Sequence, residues 1–246
     1  MTHPNRRHGL ALLAAATLFG SAQAATLDGS GRAATETRAV SAFQAISLRG
    51  DIDVVVRQGG SEGVQVRADD NLLPLLQTVV EGTGDARTLL IQVKPGESLR
   101  AKTPIVVTVD VVKLTALASS GSGDILLEPL KTPSLTLNIS GASDAKLRQL
   151  DTERFSISIA GSGDVQASGR AARLDVSIAG SGDVRTRELA AGDVSVSIAG
   201  SGDASVAAQK SISVSIAGSG DVEYVGPATL AQSRIAGSGS VRQRPP

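Results

Sequence analysis

The chain contains no cysteine and no tryptophan, and its two histidines, His3 and His8, both lie near the start. Without cysteine there is no disulfide framework, no thiolate metal site and no lipid-attachment site. Residues 1–24 read as an export signal: Arg6 and Arg7 precede a short apolar run from Gly9 to Phe19, and Ala22-Gln23-Ala24 supplies a small-residue cleavage site. His8-Gly9 stands where a twin-arginine signal needs apolar residues, so ordinary secretion is the expected route. A mature chain starting at Ala25 has no histidine, which excludes Ser-His triads, histidine-ligated zinc and imidazole acid-base pairs.

Charge of one sign is also missing. The sequence has 24 Lys and Arg against 24 Asp and Glu; removing Arg6 and Arg7 leaves 22 against 24, a net charge of −2. That balance argues against nucleic acid as a partner. Beyond Phe19 the aromatics are Phe43, Phe155 and Tyr224, too few to build stacking platforms for sugars or bases. No later segment supplies the roughly 18 apolar residues of a membrane helix. The closing Arg242-Gln243-Arg244-Pro245-Pro246 is unlike a barrel strand. A periplasmic, secreted or cell-surface protein is expected.

What the sequence has in abundance is glycine at a fixed period. Gly-Ser-Gly-Asp or a near copy begins at Gly121, Gly141, Gly161, Gly180, Gly200, Gly218 and Gly237, at intervals of 20, 20, 19, 20, 18 and 19 residues. A second glycine follows two places on at Gly123, Gly163, Gly182, Gly202, Gly220 and Gly239. A period near 20 is too short for a propeller blade or helical hairpin and fits one turn of a β-solenoid. Glycine is expected here because a backbone reversing between two sheets must visit positive φ.

Alternation on either side of the motif sets the register. Apolar columns stand two places before the first glycine (Ile139, Ile159, Ile178, Ile198, Ile216, Ile235), four before (Leu137, Ile157, Val176, Val196, Val214) and four after (Ile125 through Val241). Polar columns stand between them, including Ser158, Ser177, Ser197 and Ser215. Each repeat therefore reads as strand, tight arc, strand and a variable polar loop such as Ala167 to Arg173. The expected organisation is a flexible lead at 25–39, an irregular N-terminal β region or cap at 40–113, the regular solenoid at 114–241 and a tail at 242–246. Asp69-Asp70-Asn71 is expected to cap one helical turn through Leu72 and Leu73.

The run Ile-Ala-Gly-Ser-Gly-Asp at Ile159, Ile178, Ile198 and Ile216, the close Val222-Glu223-Tyr224-Val225-Gly226-Pro227, and the opening Phe43-Gln44-Ala45-Ile46 with Asn71-Leu72-Leu73 resemble the GIN-domain family, whose members are described as putative auto-transporter adhesin heads. The resemblance covers about Phe43 to Val241. It implies an all-β, right-handed parallel β-helix with glycine motifs at the arcs, related in shape to pectin lyase folds without their catalytic residues. Heptads for a trimeric stalk and a terminal anchoring barrel, both part of the full adhesin plan, are not evident.

Three patterns are candidates for chemistry. The aspartate column Asp124, Asp144, Asp164, Asp183, Asp203 and Asp221, with Ser240 in the last repeat, stacks like charges about 5 Å apart. Each carboxylate is expected to close its own turn on backbone amides; calcium held between rungs is the alternative. The serine columns are expected to be a solvated face. Arg49-Gly50-Asp51 spells an integrin-recognition tripeptide at a point where Gly-Asp is ordinary turn chemistry.

Together these point to an exported, non-enzymatic protein, without a cofactor, that binds an envelope polymer or surface protein. The alternatives are a polysaccharide-processing β-helix enzyme and a passive scaffold that self-associates through an uncovered solenoid end.

Overall fold

Glycine-to-glycine contact organises the molecule. In the computed structural model, which describes residues 26–245, the arcs at Gly50, Gly121, Gly141, Gly161, Gly180, Gly200, Gly218 and Gly237 stack in register through parallel strand pairs. The expected export signal lies outside the described residues. Apart from two single-turn 3₁₀ segments, Leu73–Leu75 and Gly84–Ala86, the regular structure is strand. The chain is a β-solenoid.

The two glycines of each motif are there for different reasons. The first occupies positive φ, +140° at Gly161 and +139° at Gly200, as expected. The second does not, and conformational freedom is no reason for it. A Cβ on Gly163 would lie 2.1 Å from the Ser143 carbonyl oxygen of the rung below and 3.1 Å from Ile139 Cγ2. The same isoleucine contact recurs between Gly182 and Ile159, Gly202 and Ile178, and Gly220 and Ile198. Each Ile in the column thus packs beneath the second glycine of the next rung, filling the space a side chain there would need.

One rung departs from this rule in two places at once. Ser143 stands at the second-glycine position, and Ser119 stands beneath it where later rungs have isoleucine. Both are buried, and their hydroxyls hydrogen-bond at 2.7 Å. The smaller serine below makes room for the side chain above.

Between arcs the expected polar loop is replaced by continuous strand, as in Ala145–Gly161 and Val165–Gly180. In the first of these Ala145 and Leu147, then Leu150 and Thr152, then Phe155, Ile157 and Ile159 are buried. Two three-residue steps in the alternation turn the corners between three flat runs, and Gln149 takes φ +50° at the first of them. Backbone pairing between rungs continues around both corners, so the segment Ala167 to Arg173 is bound to its neighbours rather than looped out.

The N-terminal region contains both degenerate rungs and a cap. Ala45–Gly50 and Asp53–Gln58 form a rung paired in parallel with Ala116–Gly121 and Ile125–Leu127 on one side, and with Thr88–Val93 and Val106–Val111 on the other. Beyond these, Leu76–Glu81 and Gly63–Asp69 run antiparallel and close the end, with Leu72, Leu73 and Leu76 buried.

The expected flexible lead is ordered. Ala33–Arg38 pairs antiparallel with Gly63–Asp69, and Thr26–Asp28 pairs with Ser98–Arg100. Asp69 and Asn71 hold it instead of capping a helix. The Asp69 carboxylate accepts from the N–H groups of Gly31, Lys102 and Thr103, and Asn71 bridges the Ser30 N–H and the Asp28 carbonyl. The expected turn is a 3₁₀ segment at Leu73–Leu75 with no side-chain cap. At the other end, Val241–Gln243 carries the last strand into the expected tail.

The paired serines make a double-mutant cycle decisive. Ser119→Ile should clash with Ser143, and Ser143→Gly should leave a buried hydroxyl without its partner, each at a cost of about 1–3 kcal/mol. The combination recreates the arrangement of later rungs and should recover most of the loss, measured as a coupling of about 1–3 kcal/mol in chemical denaturation. Additive losses would contradict the packing described.

Candidate functional site

The aspartate column is a ladder between rungs. Six carboxylates reach across to the next arc rather than closing their own turns: Asp53 accepts from the N–H of Asp124, Asp144 from Asp164, Asp164 from Asp183, Asp183 from Asp203, Asp203 from Asp221, and Asp221 from Ser240, at 2.7 to 3.0 Å. The expectation that each side chain bonds amides of its own turn is corrected here. In a parallel stack the following arc's N–H lies about 4.8 Å up the axis, within reach of a short side chain. Asp53, absent from the sequence pattern, is the first carboxylate of the ladder.

The strand that follows each arc presents a charged face beside this ladder. Five places after the first glycine stand Leu126, Lys146, Gln166, Arg185, Ser205, Glu223 and Arg242, paired in that order, with Arg148 and Arg187 two residues further along their strands. Arg185 spans two rungs, donating to Asp164 at 2.7 Å and to Asp183 at 2.8 Å. Arg148 pairs with Glu128 at 3.5 Å, and Glu223 holds Arg187 and Arg244. Among the described residues Lys146 has no ion-pair partner. Lys146, Arg148, Gln166, Arg185 and Arg187 line one shallow open groove, whose continuation is lined by Asp53, Asp124, Asp144 and Asp164.

Asp124 and Asp221 are shifted in opposite directions. Burial, then the neighbouring charges of Asp53 and Asp144, push the Asp124 carboxyl above its ordinary value. At the other end the Ser240 hydroxyl, its N–H and Arg242 hold Asp221 below its own. The hydrogen bond to Asp164 raises the Arg185 guanidinium, and the one from Arg244 lowers Glu223. The middle of the ladder carries its neutralising cation, while the Asp53 to Asp144 stretch does not.

Calcium would need six to eight oxygen ligands arranged around it. The ladder offers a single row in which Asp53, Asp144, Asp164, Asp183, Asp203 and Asp221 each commit one oxygen to an amide, and Arg185 takes the outer oxygens of Asp164 and Asp183. Among the described residues no group of three or more His, Cys, Asp or Glu is placed to hold a metal ion. The donor set does not fit the proposed calcium column. Stacked carboxylates about 5 Å apart do match the separation used by retaining glycosidases, but these lie side by side on one ridge, not across a bond held between them.

Arg49-Gly50-Asp51 proves to be the first arc of the stack, with Gly50 opposite Gly121 and Arg49 reaching Gln92 at 3.4 Å. The serine columns lie on the face before each arc, with Ser158, Ser177, Ser197 and Ser215 exposed. Sequence reasoning missed Lys146, Arg148, Arg185 and Arg187, although continuing the alternation two and four positions past the aspartate would have found their columns.

Asp124→Asn keeps an acceptor for the next amide and removes a disfavoured charge. The folded-state pKa of Asp124 is raised, so its ionised form weakens the fold as pH climbs through the carboxylate range to neutral. The variant should therefore melt close to the native protein at acid pH and above it at pH 7, as read by thermal scans at both. Scans in calcium and in chelator should superimpose.

A family profile described as "Putative auto-transporter adhesin, head GIN domain" matches residues 42–228, about three quarters of the chain. A search of curated proteins gave no match. Among solved structures, a Bacteroides fragilis protein described as a putative adhesin superposes with a TM-score of 0.83 at 24% identity, covering 89% of this chain and 100% of that one. Two Parabacteroides distasonis proteins, described as a putative lipid binding protein and a putative adhesin, give TM-scores of 0.72 and 0.71 at 27% and 26% identity, with the same coverage of both chains. With its fold and most of its length accounted for in this way, the chain belongs to the family of head GIN domains described as putative auto-transporter adhesins.

Proposed function

We propose that this protein is an exported, non-enzymatic, adhesin-like binding module whose charged face contacts a polymer or protein of the cell envelope or a neighbouring surface. One observation carries the reading. The ladder aspartates and Arg185 on this face are fixed by rung-to-rung hydrogen bonds at regular spacing, which suits many weak polar contacts with an extended partner, and the groove beside them is shallow and open rather than an enclosed cleft for a small substrate. Lys146 and the guanidinium groups of Arg148 and Arg187 supply donors to anionic or hydroxyl-rich chains, and the ladder beside them disfavours strongly acidic partners that would cross it. The names of the related structures, and the leader-like residues 1–24, support export and adhesion.

The test combines a charge reversal with a location assay. Purified protein is applied to peptidoglycan, lipopolysaccharide and capsular polysaccharide, and retention is measured as salt is raised. The native protein should bind at least one of them, with affinity falling in salt, and Lys146→Glu with Arg148→Glu should weaken that binding at least tenfold without lowering the melting temperature. Equal binding by the variant would remove this face from consideration. Release of reducing ends or unsaturated sugars would establish an enzyme instead. Protease treatment of intact cells carrying an epitope tag after Pro246, with a periplasmic marker as control, distinguishes surface from periplasm.

A further inference from the structure

The two ends of the solenoid are built differently. The N-terminal end is closed by reversed strands, with Leu72, Leu73 and Leu76 buried beneath them. At the C-terminal end, Thr229–Gly237 is exposed along all nine residues. Leu230 and Ile235 stand in inward columns above the buried Ile212 and Ile216, yet are 41% and 45% exposed. Ile235 keeps the expected inward register but is not buried, because among the described residues no rung lies above to cover it.

The residues of this rung mark it as terminal. Ser240 replaces the ladder aspartate and donates both its N–H and its hydroxyl to Asp221 at 2.8 Å, leaving no carboxylate to receive a further amide. Gln243 takes the inward position above Tyr224 and turns its amide to the Gly226 carbonyl at 2.9 Å. Arg234 interrupts the serine column. A further rung of the same kind would find no carboxylate to continue the ladder.

We propose that this open rung docks against the same rung of a second copy of the chain. A free strand edge with two exposed inward apolar side chains needs a partner that supplies backbone groups and apolar surface in one outline. Another solenoid end has that outline. Under a twofold axis the two Thr229–Gly237 strands meet antiparallel, and one register sets Leu230 opposite Ile235 of the second copy while Ile235 meets its Leu230, so a single contact satisfies both. The same molecule already closes this face at its other end with an antiparallel strand, Leu76–Glu81 on Thr88–Val93. Arg234 and Arg242 on each copy oppose the approach; Asp221 faces Arg242 but is engaged by Ser240, and Glu223 is already shared by two arginines, so salt should favour the dimer.

Sedimentation velocity of the purified protein across a concentration series, at low and high salt, reads the association directly. A concentration-dependent dimer that strengthens with salt is expected, and Leu230→Lys with Ile235→Lys should weaken it at least tenfold while leaving the melting temperature within a few degrees. Because the chain has no cysteine, Leu230→Cys with Ile235→Cys gives a second reading: these positions are too far apart along one extended strand to bridge each other, so oxidation should yield a covalent dimer. A protein that stays monomeric at every concentration, a dimer indifferent to the lysines, failure of the cysteines to cross-link, or open-ended growth into filaments would each overturn the proposal.

Discussion

The structure depends on how closely one arc can approach the next. At the glycine motifs, backbone lies on backbone with no room for a Cβ, and this approach fixes the register of everything that follows around the turn. Once Gly161 sits on Gly141 and Gly163 on Ser143, the isoleucine beneath, the aspartate beyond and the outward charges two and four residues later have no freedom to slip. A slip of one residue would turn every apolar column to the solvent. Ser119 and Ser143 show that at the second position the constraint is steric rather than conformational, since a side chain is admitted there over a serine, whereas the first position also needs positive φ.

Much of this was legible in the sequence because the regular half repeats a local rule. The apolar columns, from Leu137 and Ile139 to Val214 and Ile216, are buried where alternation places them, and the solenoid follows from their period. Three things were not legible. The direction of each aspartate hydrogen bond depends on the neighbour along the axis, and a one-dimensional pattern cannot tell its own amide from the next one. The order of the lead depends on Asp69 and Asn71, which lie about 40 residues away and resemble a helix cap. The corners at Gln149 and its equivalents are made by three-residue steps in alternation, which in sequence look like a loss of pattern and so like a loop.

The charged face follows from the same stacking. Parallel rungs bring equivalent positions together, so each ionisable group must face its own repeat above and below, and like charges would accumulate in columns. The chain avoids this by varying the column: leucine, lysine, glutamine, arginine, serine, glutamate and arginine succeed one another from Leu126 to Arg242, while the aspartates that do repeat are neutralised by amides and by Arg185. What distinguishes this face from a uniform repeat is therefore forced by electrostatics before any partner is considered, and the order of residues is free to be tuned to one.

The rung at 45–58 has a consequence for the order in which the protein can assemble. Both of its neighbours are made of residues that come later in the chain, and the amide joined to Asp53 belongs to Asp124, 71 residues away. During synthesis this rung has no parallel neighbour until Thr88–Val93 and Val106–Val111 have followed, and its other side waits for Ala116–Gly121 and Ile125–Leu127, whereas the regular turns each need only the one before. That early rung is therefore closed by non-local contacts, slotted between strands made after it, and sets a slower step than the turn-by-turn growth of the regular stack that follows.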